Sequence, residues 1–169
     1  MSRVWLITGT SSGFGLELAK VAAAHGDRVL AATRDPSKVA PLPGVTVVRL
    51  DHNEPFEQVR ADITKILNIH GTIDVVVNNA AYVQAGTIEE ATPEETARQF
   101  QANVFGPINV YRAILPHMRE KRSGTLVTIG SMASWYVRTT LTFTSSPDVW
   151  RTCVSQPKEK PQSLTPFTI

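Results

Sequence analysis

One cysteine, Cys153, occurs in 169 residues, so the chain forms no internal disulfide. The four histidines (His25, His52, His70, His117) are scattered, and no His, Cys, Asp or Glu grouping has metal-ligand spacing. No metal is expected, and each histidine reads as a surface or helix-end residue. A formal net charge of +2 creates no field strong enough to imply nucleic acid or an anionic membrane. No apolar run approaches the ~18 residues of a membrane span. The first apolar run is too short for a secretion signal, so a cytoplasmic location is the expectation. Hydrophobic content of 42% and charged content of 19% suit a globular chain with one substantial core and no internal repeat.

What is present centres on Thr8-Gly9-Thr10-Ser11-Ser12-Gly13-Phe14-Gly15. An apolar run, Val4-Trp5-Leu6-Ile7, leads into it and a helical pattern leaves it. That order reads as buried strand, tight turn and helix N-terminus. Gly9 permits the turn, Gly13 lets backbone approach a pyrophosphate, and Gly15 lets the helix pack closely on the sheet. The free N–H groups at the helix start favour a phosphate, and Thr10, Ser11 and Ser12 add hydroxyl donors. Three spaced glycines can equally form a turn that binds nothing, so the rest of the chain must decide.

Strand and helix patterns then alternate. Helix one is expected over 13–25 with Phe14, Leu18, Val21, Ala22 and His25 on its buried face, and strands over 28–33 and 45–50. A helix over 54–70 carries the stripe Phe56, Val59, Ile63, Ile66 and Leu67, and the next strand ends in Asn78-Asn79-Ala80-Ala81. One continuous helix is expected over 93–121. Thr92 and Glu95 form its capping box, and its buried stripe runs through Ala97, Phe100, Val104, Ile108, Tyr111, Leu115 and Met118. A fifth strand, 125–129, precedes Gly130-Ser131. This alternation predicts an α/β fold with a Rossmann-type doubly wound parallel sheet.

The end of the second strand selects between dinucleotides. NAD sites place a carboxylate there for the ribose 2′-hydroxyl, whereas this chain has Thr33-Arg34. A guanidinium pairs with a 2′-phosphate in a fork geometry, which points to NADP. A solvated Arg34, or an Asp35 that reaches the ribose, are the alternatives.

The TGxxxGxG spacing resembles the cofactor loop of the short-chain dehydrogenase/reductase family, and the resemblance continues to about Ala133. It implies hydride exchange between NADP(H) and a small alcohol or carbonyl substrate. Asp51 matches the aspartate near the adenine ring, with a helix-capping role as its alternative. Asn79 is expected to contact the cofactor and Asn78 to serve the structure, while Ala81 replaces the family's glycine. Asn103-Val104-Phe105-Gly106 matches the catalytic N-x-x-G, and Ser131 matches the catalytic serine that bonds the substrate oxygen. Pro107 has no N–H, so an α-helix would leave the Asn103 carbonyl without its usual donor, and in the family that carbonyl holds a water of the proton relay.

The family's Tyr-x-x-x-Lys, in which the lysine lowers the tyrosine pKa for proton exchange, is not found. Tyr82, Tyr111 and Tyr136 are followed four residues on by Gly86, Leu115 and Thr140. The expected organisation is therefore an NADP-binding domain over 1–133, truncated after the fifth strand, and a disordered tail over 134–169. A frame change or splicing event just after Trp135 is the simplest origin. The fifth strand would then be an open edge, and the usual subunit-contact helix would be missing, which speaks against the family's oligomer. Three functions follow as expectations: an impaired oxidoreductase, an inactive NADP-binding module acting through a partner, or a non-functional truncated product.

Overall fold

The computed structural model describes residues 2–85, 89–131 and 152–153. Five parallel strands, β1 (Val4–Thr8), β2 (Arg28–Thr33), β3 (Val45–Arg49), β4 (Val75–Asn78) and β5 (Thr125–Thr128), pair in the order β3-β2-β1-β4-β5. The helices are α1 (Gly13–Ala24), α2 (Phe56–His70), α3 (Pro93–Phe100) and α4 (Gly106–Glu120). This is the doubly wound Rossmann-type fold that the alternation predicts. The strand order reverses between β1 and β4, which opens a crevice at their C-terminal ends.

Period-two alternation divides the strand residues between two cores. Val4, Leu6, Leu30, Val48, Val76 and Leu126 face α2 and α4 through Val59, Ile63, Ile66, Val110, Ile114 and Met118. Ile7, Val29, Ala31, Val75 and Val77 face α1 through Ala19 and Ala22. Both sheet faces are covered, which is why β2 and β4 read as unbroken apolar runs.

Two helical faces differ from expectation. Phe14 and Val21 of α1 are 67% and 57% exposed; the expected Ala22 is buried, Leu18 packs beside it, and Gly15 and Ala19 complete the inner face. Small residues occupy that face because α1 lies so close to the glycine loop that a Cβ on Gly15 would meet the Gly9 carbonyl oxygen at 2.5 Å. The helix expected over 93–121 is interrupted. After the capping box, with Thr92 Oγ1 accepting from Glu95 N at 3.2 Å, α3 gives way to a π turn over Gln101–Phe105 before α4 begins. The expected Met118 is buried and Tyr111 and Leu115 pack beside it, but the rest of the buried stripe runs through Gln99, Ala102, Asn103, Gly106, Val110 and Ile114, leaving Ile108 44% exposed.

The edge of β5 also differs. A two-residue strand, β6 (Thr152–Cys153), pairs antiparallel with it at Leu126 and Thr125, so that edge is not open along its whole length. The remainder of the 134–169 tail lies outside the described residues.

At the opposite end of the sheet, Lys121 Nζ donates to Thr72 Oγ1 at 3.0 Å, to the Ile73 carbonyl at 2.7 Å and to Asp74. Asp74 in turn accepts from Val4 N at 2.8 Å. This ties the end of α4 to the starts of β1 and β4. Burial opposes ionisation of Asp74, but the Lys121 ammonium and the Val4 N–H outweigh it and hold the carboxyl below its usual range. A carboxyl depressed in the folded state stabilises above its unfolded pKa of about 3.9 and loses that contribution as pH falls below it. Urea melts at pH 5 and pH 3 should therefore show a falling midpoint. Asp74→Asn should lower the pH 5 midpoint and flatten the fall; equal slopes in the two proteins would remove Asp74 from the acid response.

Candidate functional site

The crevice is built around Thr8, the last residue of β1. Its buried Oγ1 accepts from Asn79 N and Ala80 N, both at 3.0 Å, and donates to the Val77 carbonyl at 3.4 Å. Asn79 answers from β4, its Nδ2 donating to the Thr8 carbonyl at 3.0 Å and the Gly9 carbonyl at 3.2 Å. These bonds latch the glycine loop to the end of β4. Gly9 has a φ of +70°, and a Cβ there would lie 2.7 Å from the Ala80 Cα. Gly13, with a φ of +59°, has open space where its side chain would be. Both therefore require glycine, one for close approach and both for conformation. Asn78 donates from Nδ2 to the Pro107 carbonyl at 3.1 Å, fastening β4 to the start of α4.

A cavity of about 800 Å³ opens beside the latch. Gly9, Ser11, Ser12, Thr33, Arg34, Asp51 and Asn79 of the sequence-expected set line it, with Ala80, Ala81 and Tyr82. Its size falls within the range of cofactor pockets. Ser12 caps α1 in extended conformation, and its side chain makes no capping bond, so the first N–H groups of α1 are not occupied by it. Arg34 is exposed and forms no ion pair among the described residues. Asp35, the alternative ribose ligand, instead accepts from the Ser37 backbone at 3.1 Å and from its hydroxyl at 2.6 Å, and these bonds hold its carboxyl below the usual range. Asp51 accepts at 3.0 Å from both Asn53 N and Asn53 Nδ2, a capping turn at the mouth of the cavity.

Thr10 departs from the expectation. It is fully buried, and its hydroxyl donates to the Ala32 carbonyl at 3.1 Å, so it braces β1 against β2 and offers no donor to a ligand. The catalytic candidates stand apart from the cavity lining. Asn103 is buried, with Oδ1 accepting from Tyr82 N at 3.1 Å and Nδ2 donating to the Tyr82 carbonyl at 2.8 Å. Ser131 is half-buried, three residues beyond β5 at the C-terminal edge of the sheet. Nor does the Asn103 carbonyl stand where an α-helix would put it. Gly106 N donates to the Gln101 carbonyl, five residues back. In that register Pro107 withholds a donor from Ala102 instead.

Two residues that the motifs do not single out matter here. Thr8 could have been read as the one hydroxyl residue that ends the apolar first strand at the glycine turn. His52 is 7% exposed, contrary to the helix-end reading that fits His25, His70 and His117. Burial pushes its imidazole pKa down and Arg34 adds to this, while Asp51 and the Ala102 backbone pull the other way. No pattern in the sequence announces it. Among the described residues no group of three or more His, Cys, Asp or Glu is placed to hold a metal, and no helix is long and apolar enough to cross a membrane.

A family model described as short chain dehydrogenase matches residues 3–145. A 3-ketodihydrosphingosine reductase of Bacteroides thetaiotaomicron is 35% identical over 130 residues, covering 77% of this chain and 47% of the relative. Among solved structures, a short-chain dehydrogenase from Streptomyces avermitilis superposes with a TM-score of 0.76 at 37% identity, covering 81% of this chain and 52% of that one. A gluconate 5-dehydrogenase from Burkholderia cenocepacia, in complex with NADP and tartrate, gives 0.75 at 29% identity, covering 82% and 57%. With its glycine loop, reversed sheet order and crevice, the chain belongs to the short-chain dehydrogenase family. It spans about half the length of the curated relatives it matches.

Replacing Thr8 by Val removes the acceptor for two N–H groups while keeping the shape. The expected loss is about 1–3 kcal/mol of folding stability, because buried donors are left unpaired. Chemical denaturation measures it, and a loss below about 0.5 kcal/mol would mean that surface-like tolerance, and not a latch, describes this position.

Proposed function

We propose that this chain is the NADP(H)-binding part of an oxidoreductase that exchanges hydride between nicotinamide and a small alcohol or carbonyl substrate. The observation that carries this reading is the cavity joining the Gly9–Ser12 loop to Arg34 and Asp51. The fit of a dinucleotide rests on the open space at Gly13, the start of α1 that Ser12 leaves without a side-chain cap, and the exposed Arg34, which has no ion pair among the described residues. When bound, the nicotinamide ring supplies or takes up the hydride.

The chain's own residues then have these roles. Gly9, Gly13 and Gly15 shape a loop whose N–H groups, with the hydroxyls of Ser11 and Ser12, bind the pyrophosphate. Arg34 pairs with the 2′-phosphate, and Thr33 closes the wall beside it. Asp51 borders the adenine. Asn79 acts on the cofactor through the loop, since its amide is engaged by the Thr8 and Gly9 carbonyls. Ser131 bonds the substrate oxygen, and Asn103 belongs to the proton-relay wall. NADP as the choice is also supported by the NADP complex of the gluconate 5-dehydrogenase neighbour.

The 169 residues contain no Tyr-x-x-x-Lys, and this favours a second reading: a module that binds NADP(H) without efficient turnover and acts through a partner chain. Loss of a general acid or base costs about 10²–10⁴-fold in rate. Binding without turnover distinguishes that module from a product that does not fold at all.

Fluorescence titration of the full chain should show NADPH bound more tightly than NADH, and Arg34→Ala should erase the preference. A charged hydrogen bond worth about 1.5–3 kcal/mol corresponds to a loss on the order of 10- to 100-fold in NADPH affinity, with NADH little affected. Equal losses for both cofactors would remove Arg34 as the selector.

A further inference from the structure

Gly106 begins α4 where the π turn ends, and its missing side chain leaves a notch filled by His52. A Cβ on Gly106 would collide with the His52 ring, and would lie 2.9 Å from its Cγ and 3.0 Å from its carbonyl oxygen. The ring is enclosed, and Nε2 has no hydrogen-bond partner among the described residues. The backbone of Ala102 lies within its electrostatic reach. In the i→i+5 register of the turn, the carbonyl of Ala102 is the one from which Pro107 withholds a donor. His52 also lines the cavity, between Asp51 and Asn53. One imidazole thus joins the cavity wall to the turn that carries Asn103.

We propose that His52 is a positioning residue for Asn103: its neutral imidazole, seated in the Gly106 notch against the Ala102 backbone, holds the π turn in register and couples it to the Asp51–Asn53 wall of the pocket. This rests on the reading of that pocket as the cofactor site and of Asn103 as part of the catalytic set. The seat suits only the neutral ring. Protonation puts an N–H on whichever ring nitrogen lacked one, adding charge in an enclosed site where Nε2 has no acceptor. The charged groups that face the ring are Asp51 from its own loop and Arg34 from the end of β2. Arg98 of α3 lines the same cavity, while the turn and α4 present the uncharged Ala102 and Gly106. Acid therefore drives the ring from its notch and releases the turn.

The test is a pH titration of the full chain, from pH 8 to 5, by NMR of the histidine rings and backbone amides. The His52 ring should titrate below the ordinary histidine range. The amides of Ala102, Asn103, Gly106 and Tyr82, the last bonded to Asn103 Oδ1, should shift with the same midpoint. The NADPH dissociation constant should rise by up to about tenfold per pH unit below that midpoint, the limit for one linked proton. His52→Leu, which fills the notch without titrating, should flatten that slope. Gly106→Ala should displace the turn amides already at pH 8, and His52→Ala added to it should restore part of their wild-type positions. Turn amides that ignore the His52 midpoint, or an undiminished slope in His52→Leu, would overturn the proposal. If His52→Leu does not melt cooperatively, the wild-type ring and amide midpoints still decide. If NADPH binds at no pH, the cofactor reading fails, and the same midpoints decide the positioning role alone.

Discussion

The structure depends on the hydrogen bonds that Thr8 and Asn79 exchange across the point where the sheet reverses its order. Parallel strands that diverge at a switch point leave a crevice, and backbone at its lip has no sheet partner to satisfy it. Thr8 Oγ1 takes the N–H groups of Asn79 and Ala80, and the Asn79 amide returns to the Thr8 and Gly9 carbonyls. The glycine loop is thereby held against β4 before any ligand arrives. Pre-organisation of this kind spares a phosphate-binding loop the entropy of ordering on binding. It also explains why the loop tolerates no side chain at Gly9 or Gly15: the two chain segments it joins are already in contact.

A second constraint lies on α3, the π turn and α4. Pro107 cannot donate, and an inserted residue, by which Gly106 reaches back five positions to Gln101, moves the missing donor from the Asn103 carbonyl to that of Ala102. The insertion turns Asn103 inward, where it bonds both backbone groups of Tyr82. The segment after β4 and the turn before α4 are consequently one unit, fastened a second time by Asn78 on the Pro107 carbonyl. π turns concentrate at functional positions because they re-aim side chains at little cost to the rest of the helix. Here the re-aimed residue is the one that the family pattern marks.

Much of the fold was legible in the sequence, because each layer has its own period. Apolar runs of four to six residues bounded by Gly, Asp or Asn marked the strands, and the stripe through Val59, Ile63 and Ile66 marked α2. The failures have physical causes. The α1 face was misplaced because large apolar residues were assumed to point inward. Close packing on the glycine loop adds Gly15 and Ala19 to the expected Ala22, and leaves Phe14 and Val21 outside. The long helix was misjudged because a proline signals a missing bond but not how the backbone rearranges around it. The lining of the pocket was largely readable from Gly9, Ser11, Ser12, Thr33, Arg34, Asp51 and Asn79. Thr10 and His52 were not, since their roles come from burial and from contacts more than twenty residues away in sequence.

The central claim is that the latched loop, Arg34 and Asp51 form one dinucleotide site. Amide hydrogen exchange of the full chain, with and without saturating NADPH, addresses it most directly. Protection should rise together at residues 9–15, 33–35 and 51–53, with little change along β3 or the exposed face of α2. Protection confined to some other surface, or none at any NADPH concentration, would contradict the claim.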